Sequence, residues 1–272
     1  MSSHRSPTAR PKAGALAASA AALLSIGLLS PAPAAAASAP SGKGKAAHAT
    51  AAVLDLDGAG RTPVIHGADT AYDTASIVKV DILAALLLRA QDAGRHLTAQ
   101  ERGRAEPMIQ RSDNAAANAL WREIGRSSGL AAANKRLGLT STTGGPGARW
   151  GLTRTTASDQ IRLLRAVFDG GKTANGGPAA LNPESRAYIR TLMSHVVPEQ
   201  AWGVSALSGP GAHGALKNGW LQRNTTGLWD VNSVGQVTVK GHRYLVAVLS
   251  DGSTSMSDGI SLVERTARGA MA

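Results

Sequence analysis

Ser76-Ile77-Val78-Lys79 combines a hydroxyl with an amine three residues on. Positions three apart share one face of a helix, so the lysine amine can reach the serine oxygen. A serine hydroxyl is a weak nucleophile until a base takes its proton. Lysine can be that base only when neutral, and apolar surroundings favour this by penalising the ammonium. From Ala75 to Val80 there is no other charge, and Lys79 is the only lysine in the chain with a serine at that offset. The start of a helix also favours developing negative charge. Taken alone, the same four residues fit a lysine snorkelling at a helix edge.

Two further clusters carry polar groups of the same kind. Ser112-Asp113-Asn114 stands before an apolar-periodic segment, and by itself it is also a natural helix cap. Lys217-Asn218-Gly219-Trp220 lies in a strand-like stretch, where an outward lysine on an edge strand with a bulge glycine is the plainer reading.

The elements that must hold these clusters follow from periodicity and turn chemistry. Residues 51–56 read as a strand, 57–60 as a turn and 62–66 as the returning strand. Residues 74–93 form the most apolar helix, apolar in almost every direction and therefore central to the domain. Helices are expected at 99–109, 114–124, 129–137 and 157–168, with a Gly- and Thr-rich loop over 138–154. Asn182-Pro183-Glu184 starts a helix that runs to about His195. Strands at 214–221, 228–239 and 243–249 and a helix at 257–270 close the chain. This order predicts an α+β sandwich, with an antiparallel sheet built from both chain ends and a helical lobe inserted between them.

Composition limits the function classes. The chain has 272 residues, 43% hydrophobic and 17% charged, with net charge +11 and no cysteine. Arg5, Arg10 and Lys12, then apolar Ala13 to Leu29, then a small-residue stretch from Pro31 to Ala39 have the order of a secretory signal peptide. Cleavage near Ala37 gives a leader of residues 1–37, a flexible linker over 38–48 and a domain over 49–272. Losing the leader removes three positive charges and lowers +11 to +8. Ser19, Ser25, Gly27 and the following prolines make the apolar run a poor membrane span, so no span is expected after cleavage. The expected location is secreted or wall-associated. With no cysteine, lipid attachment through a thiol is not expected either. A basic surface outside the cell suits an anionic wall polymer, or is simply solvated. Nucleic acid is not expected as a partner, since aromatic residues are 3% and no recognition motif is present. The seven histidines show no ligand spacing, so neither a metal site nor any cofactor is expected.

S-x-x-K, then S-D-N, then a K-T-G-like triplet on a late strand resembles the motif set of class A β-lactamases and penicillin-binding proteins. The resemblance extends over residues 49–272. The separation of 36 positions from Ser76 to Ser112 implies a shortened helical lobe. It further implies an acyl-enzyme on Ser76, with Lys79 helping to deprotonate it and Ser112 passing protons to the leaving nitrogen. Asn114 would bond the substrate amide, Lys217 would place positive charge near its carboxylate and help tune Ser112, Asn218 could bond the carboxylate, and Gly219 and Trp220 would complete the substrate-binding set. The backbone amides of Ser76 and Trp220 would form an oxyanion hole, with Asp113 and Asn118 as structural supports. Arg223 and Arg243 are further candidates for the carboxylate.

Two departures qualify this. The triplet is Lys-Asn-Gly, giving amide rather than hydroxyl geometry, and residues 138–158 contain no Asp or Glu, where the family carries its deacylating glutamate. Acylation can then proceed while hydrolysis is slow. Asp159 reads as a helix-start residue rather than a base. The leading expectation is β-lactam hydrolysis by a secreted serine hydrolase of the kind that confers antibiotic resistance. The alternatives are a D,D-peptidase or transpeptidase on cell-wall peptide and a turnover-deficient binding module. Gly125-Arg-Ser-Ser-Gly129 fits G-x-S-x-G but lies between helices, and Gly171-Lys172-Thr173 lacks the leading glycine of a phosphate loop. Trp202, Trp220 and Trp229 either line a cleft or pack the core.

Overall fold

The computed structural model describes residues 46–170, 179–209 and 214–272. The leader, nearly all of the linker, and the Gly171-Lys172-Thr173 segment lie outside these residues. Strand β1 (His48–Asp55) begins at the last position assigned to the linker. With β2 (Val64–His66), β5 (Ala215–Gln222), β6 (Trp229–Val239) and β7 (His242–Asp251) it forms a five-stranded antiparallel sheet ordered β2-β1-β7-β6-β5. Both chain ends therefore build the sheet, as the element order implied.

Alternation along the strands feeds two cores. Ala52, Leu54, Leu245, Ala247 and Leu249 join the larger core around helix α1 (Val78–Asp92). Ala51, Val53, Val246 and Val248 join Val263 and Ala267 of the closing helix α7 (Met256–Ala270) on the opposite face. Because β1 and β7 are covered on both sides, their sequences are almost continuously apolar. Gly259 lets α7 pack closely, since a Cβ there would lie 2.3 Å from Val231 Cγ2.

Helices α2 (Ala99–Gln110), α3 (Asn114–Glu123), α4 (Arg126–Leu137), α5 (Ala157–Phe168) and α6 (Pro183–Met193) complete the described helices. All of these starts except that of α4 follow from side-chain caps. Thr98 and Glu101 close a capping box, and Asp113, Thr156 and Asn182 each accept a backbone N–H two or three residues inside their helix. Such caps are worth about 1 kcal/mol each.

Three expectations change. Residues 74–93 are not one helix: a 3₁₀ turn over Ala75–Ile77 precedes α1. The 138–154 loop is also partly regular. It carries a 3₁₀ turn at Trp150–Leu152 and strand β4 (Arg154–Thr155), which pairs with β3 (Tyr72–Asp73). Helix α4 starts three residues earlier than its polar N-terminus suggests. The two glycines of G-x-S-x-G shape that start: Gly125 is left-handed at φ 91°, and a Cβ on Gly129 would lie 1.6 Å from Ile124 O. Among the described residues, no helix is long and apolar enough to cross a membrane.

Candidate active site

The reactive residues converge where the 3₁₀ turn, α1, the α2–α3 corner and edge strand β5 meet. Lys79 and Lys217 are both 0% exposed, and both point at Ser112. Lys79 Nζ donates to Ser112 Oγ at 3.0 Å, to Ser112 O at 2.6 Å and to Asn114 Oδ1 at 2.8 Å. Lys217 Nζ donates to the same Ser112 Oγ at 2.9 Å and to Asn218 O at 2.9 Å. One hydroxyl thus joins two amines in a dry pocket.

Burial sets the charge of this pair. Desolvation pulls Lys79 down to about 7, against the opposing pull of the Asp113 carboxylate. Lys217 is held well below the usual lysine range, first by burial and then by repulsion from Lys79. The lone anion acting on Lys79, Asp113, is mainly engaged as the cap of α3, accepting from Ala116 N at 2.7 Å.

Ser76 lies partly exposed at the mouth of this pocket. Among the described residues its hydroxyl makes no hydrogen bond, so the expected direct Ser76–Lys79 bond is absent in this state. The reason is competition: Ser112 and Asn114 already take the lysine's three donors. Strand β5 nevertheless comes right up to Ser76. A Cβ on Gly219 would lie 2.7 Å from Ser76 N and 2.8 Å from Ile77 N, so only glycine fits. This approach brings the Ser76 amide and the following residue, Trp220, to the same end of the site.

Backbone strain is concentrated here. Ala75 and Ser112 adopt left-handed conformations at φ 47° and 56°, each costing about 1–3 kcal/mol for a residue with a side chain. Support comes from behind. Asn232, fully buried on β6, donates to Asp73 O at 2.9 Å and Thr74 O at 3.1 Å, and accepts from Ser250 N at 3.0 Å. Asp73 itself receives Arg223 and, at 3.4 Å, Arg154. None of these supports had a local sequence signal.

The Lys-Asn-Gly triplet divides between the sheet faces. Lys217 and Gly219 face the helical lobe, whereas Asn218 and Trp220 face the other way. Asn218 is 1% exposed, and its Nδ2 donates to Gln200 O at 2.8 Å and Trp202 O at 2.9 Å. The expectation that this amide bonds a substrate carboxylate is therefore corrected: both its N–H groups are engaged behind the strand. The Trp220 ring packs against Trp202, with centroids 6.0 Å apart, and both, partly buried, pack against the second core. Arg243 is likewise removed from the site, being tied to Asp57 at the far end of the sheet. Arg223 lines a groove beside the site, but its guanidinium is committed to Asp73.

That groove, about 560 Å³, runs between Arg149–Leu152 on one wall and Leu221–Thr225 on the other. Its loop wall supplies a residue absent from the sequence reading. Trp150 stacks over Lys79 Nζ with 4.8 Å to the ring centroid, and its Nε1 donates to Asn118 Oδ1 at 2.7 Å. Asn118 thus ties α3 to the loop. Asp159 lies outside the site. It is fully buried and accepts from Ser141 N, Thr142 Oγ1 and Arg162.

Comparisons with known proteins agree with this architecture. Residues 102–271 match the family model described as the Beta-lactamase enzyme family. Among curated proteins, LppW of Mycobacterium tuberculosis, named as a lipoprotein, is 31% identical over 119 residues. That match takes in 44% of this chain and 38% of the relative, so the chain spans well under half the length of the curated relative. Among solved structures, a variant of PBP-A captured as its acyl-enzyme with penicillin G superposes with TM-score 0.66 at 24% identity, covering 82% of this chain and 88% of that one. A β-lactamase from Chitinophaga pinensis gives 0.68 at 15% identity, covering 81% and 92%. These two show the shared fold. With the family model spanning well over half of its length, the chain belongs to the beta-lactamase enzyme family.

Proposed function

We propose that this protein is an exported active-site-serine acyl-transfer enzyme that forms an ester on Ser76, with β-lactams as the leading acyl donors. The observation that carries the reading is Ser112 Oγ held between two buried lysines at 3.0 and 2.9 Å. In this scheme Ser76 Oγ bonds to the carbonyl carbon and the amide C–N bond breaks. The serine proton passes to neutral Lys79, and Ser112 relays a proton to the departing nitrogen. Lys217, donating to Ser112 Oγ at 2.9 Å, tunes that relay, a role independent of the Asn218 side chain. The amides of Ser76 and Trp220 receive the developing oxyanion, worth roughly 3 kcal/mol per donor in hydrolases. The outer edge of β5 offers unpaired backbone groups along which a peptide-like donor can lie.

A second reading keeps this chemistry but takes cell-wall peptide as donor, as a D,D-peptidase or transpeptidase. It is favoured by the lack of any acid in residues 138–158, which leaves no carboxylate on that loop to activate water. Export rests on the basic, apolar and small-residue order of residues 1–37.

Exposure to penicillin G followed by intact-mass analysis tests the proposal, with Ser76→Ala as control and nitrocefin turnover alongside. An adduct that vanishes in the control is expected. No adduct and no turnover across several donors would overturn it. Rapid cleavage of D-Ala-D-Ala peptides with slow nitrocefin turnover would select the second reading.

A further inference from the structure

We infer that Trp150 is a water-excluding roof over Lys79 that prolongs the life of the Ser76 acyl-enzyme. The inference deepens the proposed function and rests on it for its kinetic consequence, while the roof itself is testable without any substrate.

Releasing an ester from Ser76 requires a water oxygen to attack the carbonyl carbon. The C–O bond to Ser76 then breaks, one water proton reaches Ser76 Oγ, and the acid departs. A base must hold that proton in transit, and the water must stand beside the base. The loop that covers the site provides neither. It contains no carboxylate between residues 138 and 158, and Lys79, the base that takes the Ser76 proton on acylation, is fully buried, so no bulk water stands beside it. The indole covers Lys79 Nζ on the loop side, 4.8 Å from the ring centroid. An aromatic face attracts the ammonium form but offers no hydrogen bond to water.

The roof is fixed rather than resting. Trp150 Nε1 is anchored on Asn118 Oδ1 at 2.7 Å, and Trp150 O accepts from Thr153 N at 3.0 Å within the 3₁₀ turn. Beneath the turn, Gly145 permits a close crossing, because a Cβ there would lie 2.0 Å from Arg149 O. Gly145 N also donates to Thr153 Oγ1 at 3.0 Å. Beside the ring, a Cβ on Gly151 would meet Ala75 Cα at 3.8 Å, so the loop sits against the residue that precedes Ser76. Exclusion of water is thus built from two anchored sides, and it protects a reactive ester from hydrolysis.

The experiment separates formation of the penicillin G adduct from its loss, by time-resolved intact mass on wild type, Trp150→Ala, Trp150→Phe and Asn118→Leu. The roof predicts that Trp150→Ala speeds adduct loss by about tenfold or more, with its formation rate within about threefold of wild type. Trp150→Phe, which keeps an apolar ring, stays near wild type, and Asn118→Leu falls between. Unchanged adduct loss in a folded Trp150→Ala overturns the inference. So does loss of adduct formation with an unaltered melting transition, which would make Trp150 part of the nucleophile's own machinery. A wild-type protein that never forms an adduct overturns the proposed function instead, and with it the kinetic role of the roof. Water–protein NOEs to the ¹³C-labelled Lys79 side chain read the roof without substrate: they are expected in Trp150→Ala and not in wild type, and their absence from a folded Trp150→Ala counts against water exclusion.

Discussion

Gly219 lies so close to Ser76 that any side chain would strike the backbone: its Cβ would stand 2.7 Å from Ser76 N and 2.8 Å from Thr74 O. Edge strand and nucleophile therefore occupy fixed relative positions only while residue 219 has no Cβ. Gly219→Ala is expected to push β5 outward and slow acylation by roughly a hundredfold, the usual effect of a 1 Å misplacement. Loss of stability is expected to be about 1–3 kcal/mol, as for overpacking. The adduct formation rate and a urea midpoint measure the two effects, and unchanged acylation would show that the close approach is dispensable.

Lys79 gives the proposed chemistry its pH dependence. Burial lowers its pKa to about 7 from 10.5, so the neutral base fills as pH rises through 7. Acylation should climb across that pH and level off above it. Asp113→Asn preserves the α3 cap, because asparagine caps as well as aspartate. It removes the charge that raises Lys79, so the midpoint should move down. The sign for stability is equally defined. A lysine depressed in the folded state binds fewer protons there than in the unfolded chain, so its contribution is complete above 10.5 and is lost as pH falls towards 7. Lys79→Met should remove that dependence from a melting series between pH 7 and 10, and a midpoint unaffected by Asp113→Asn would refute the electrostatic assignment.

Asp81 titrates with the opposite sign. It is fully buried two residues beyond Lys79, and burial together with the nearby Asp159 charge raises it to about 8 from 3.8. The folded chain thus binds the proton that the unfolded chain has lost. Stability from this group is complete below 3.8 and drains away as pH rises towards 8. Asp81→Asn cannot ionise, so its melting temperature should fall less than that of wild type between pH 5 and 8. Parallel curves would mean that Asp81 is ionised inside the fold.

Asn232 should matter more than its silence in the sequence suggests. Asn232→Ala removes donors to Asp73 O and Thr74 O, just ahead of Ser76, and the acceptor for Ser250 N. Buried groups left without partners cost about 1–3 kcal/mol each. A lower urea midpoint and slower acylation are expected together. A stability loss with normal acylation would show that the 3₁₀ turn keeps its shape without this anchor.

The limits of sequence reading here are physical. Lys79, Ser112 and Lys217 could be singled out because each lies in an element with a strong periodic or capping signal, and they follow one another in a telling order. The turn of Asn218 to the opposite face follows from strand alternation, yet carrying over the family's triplet as one unit hid it. Trp150 gave no sign, since a tryptophan in a Gly-rich loop has no periodicity and its contacts to Lys79 and Asn118 are entirely tertiary. Strands β3 and β4, with two residues each, are too short to alternate visibly. The start of α4 was missed because Arg126 enters the helix from a left-handed backbone at φ 57°, which polar composition does not announce.

The pairing of β1 with β7, in which Ala51 meets Val248, has a consequence for how the molecule assembles. The first strand of the domain lies one place in from the edge of the sheet, and its inner neighbour follows it in sequence by almost the whole length of the domain. Until residues near 250 are available, Ala51 to Leu54 have no complete surface to pack on, while the helices between them can already associate through contacts close in sequence. Closing so long a loop makes the final step slow compared with local pairing. A chain interrupted before β7 therefore lacks the strand that joins β1 to β6, and with it the link between the two halves of the sheet.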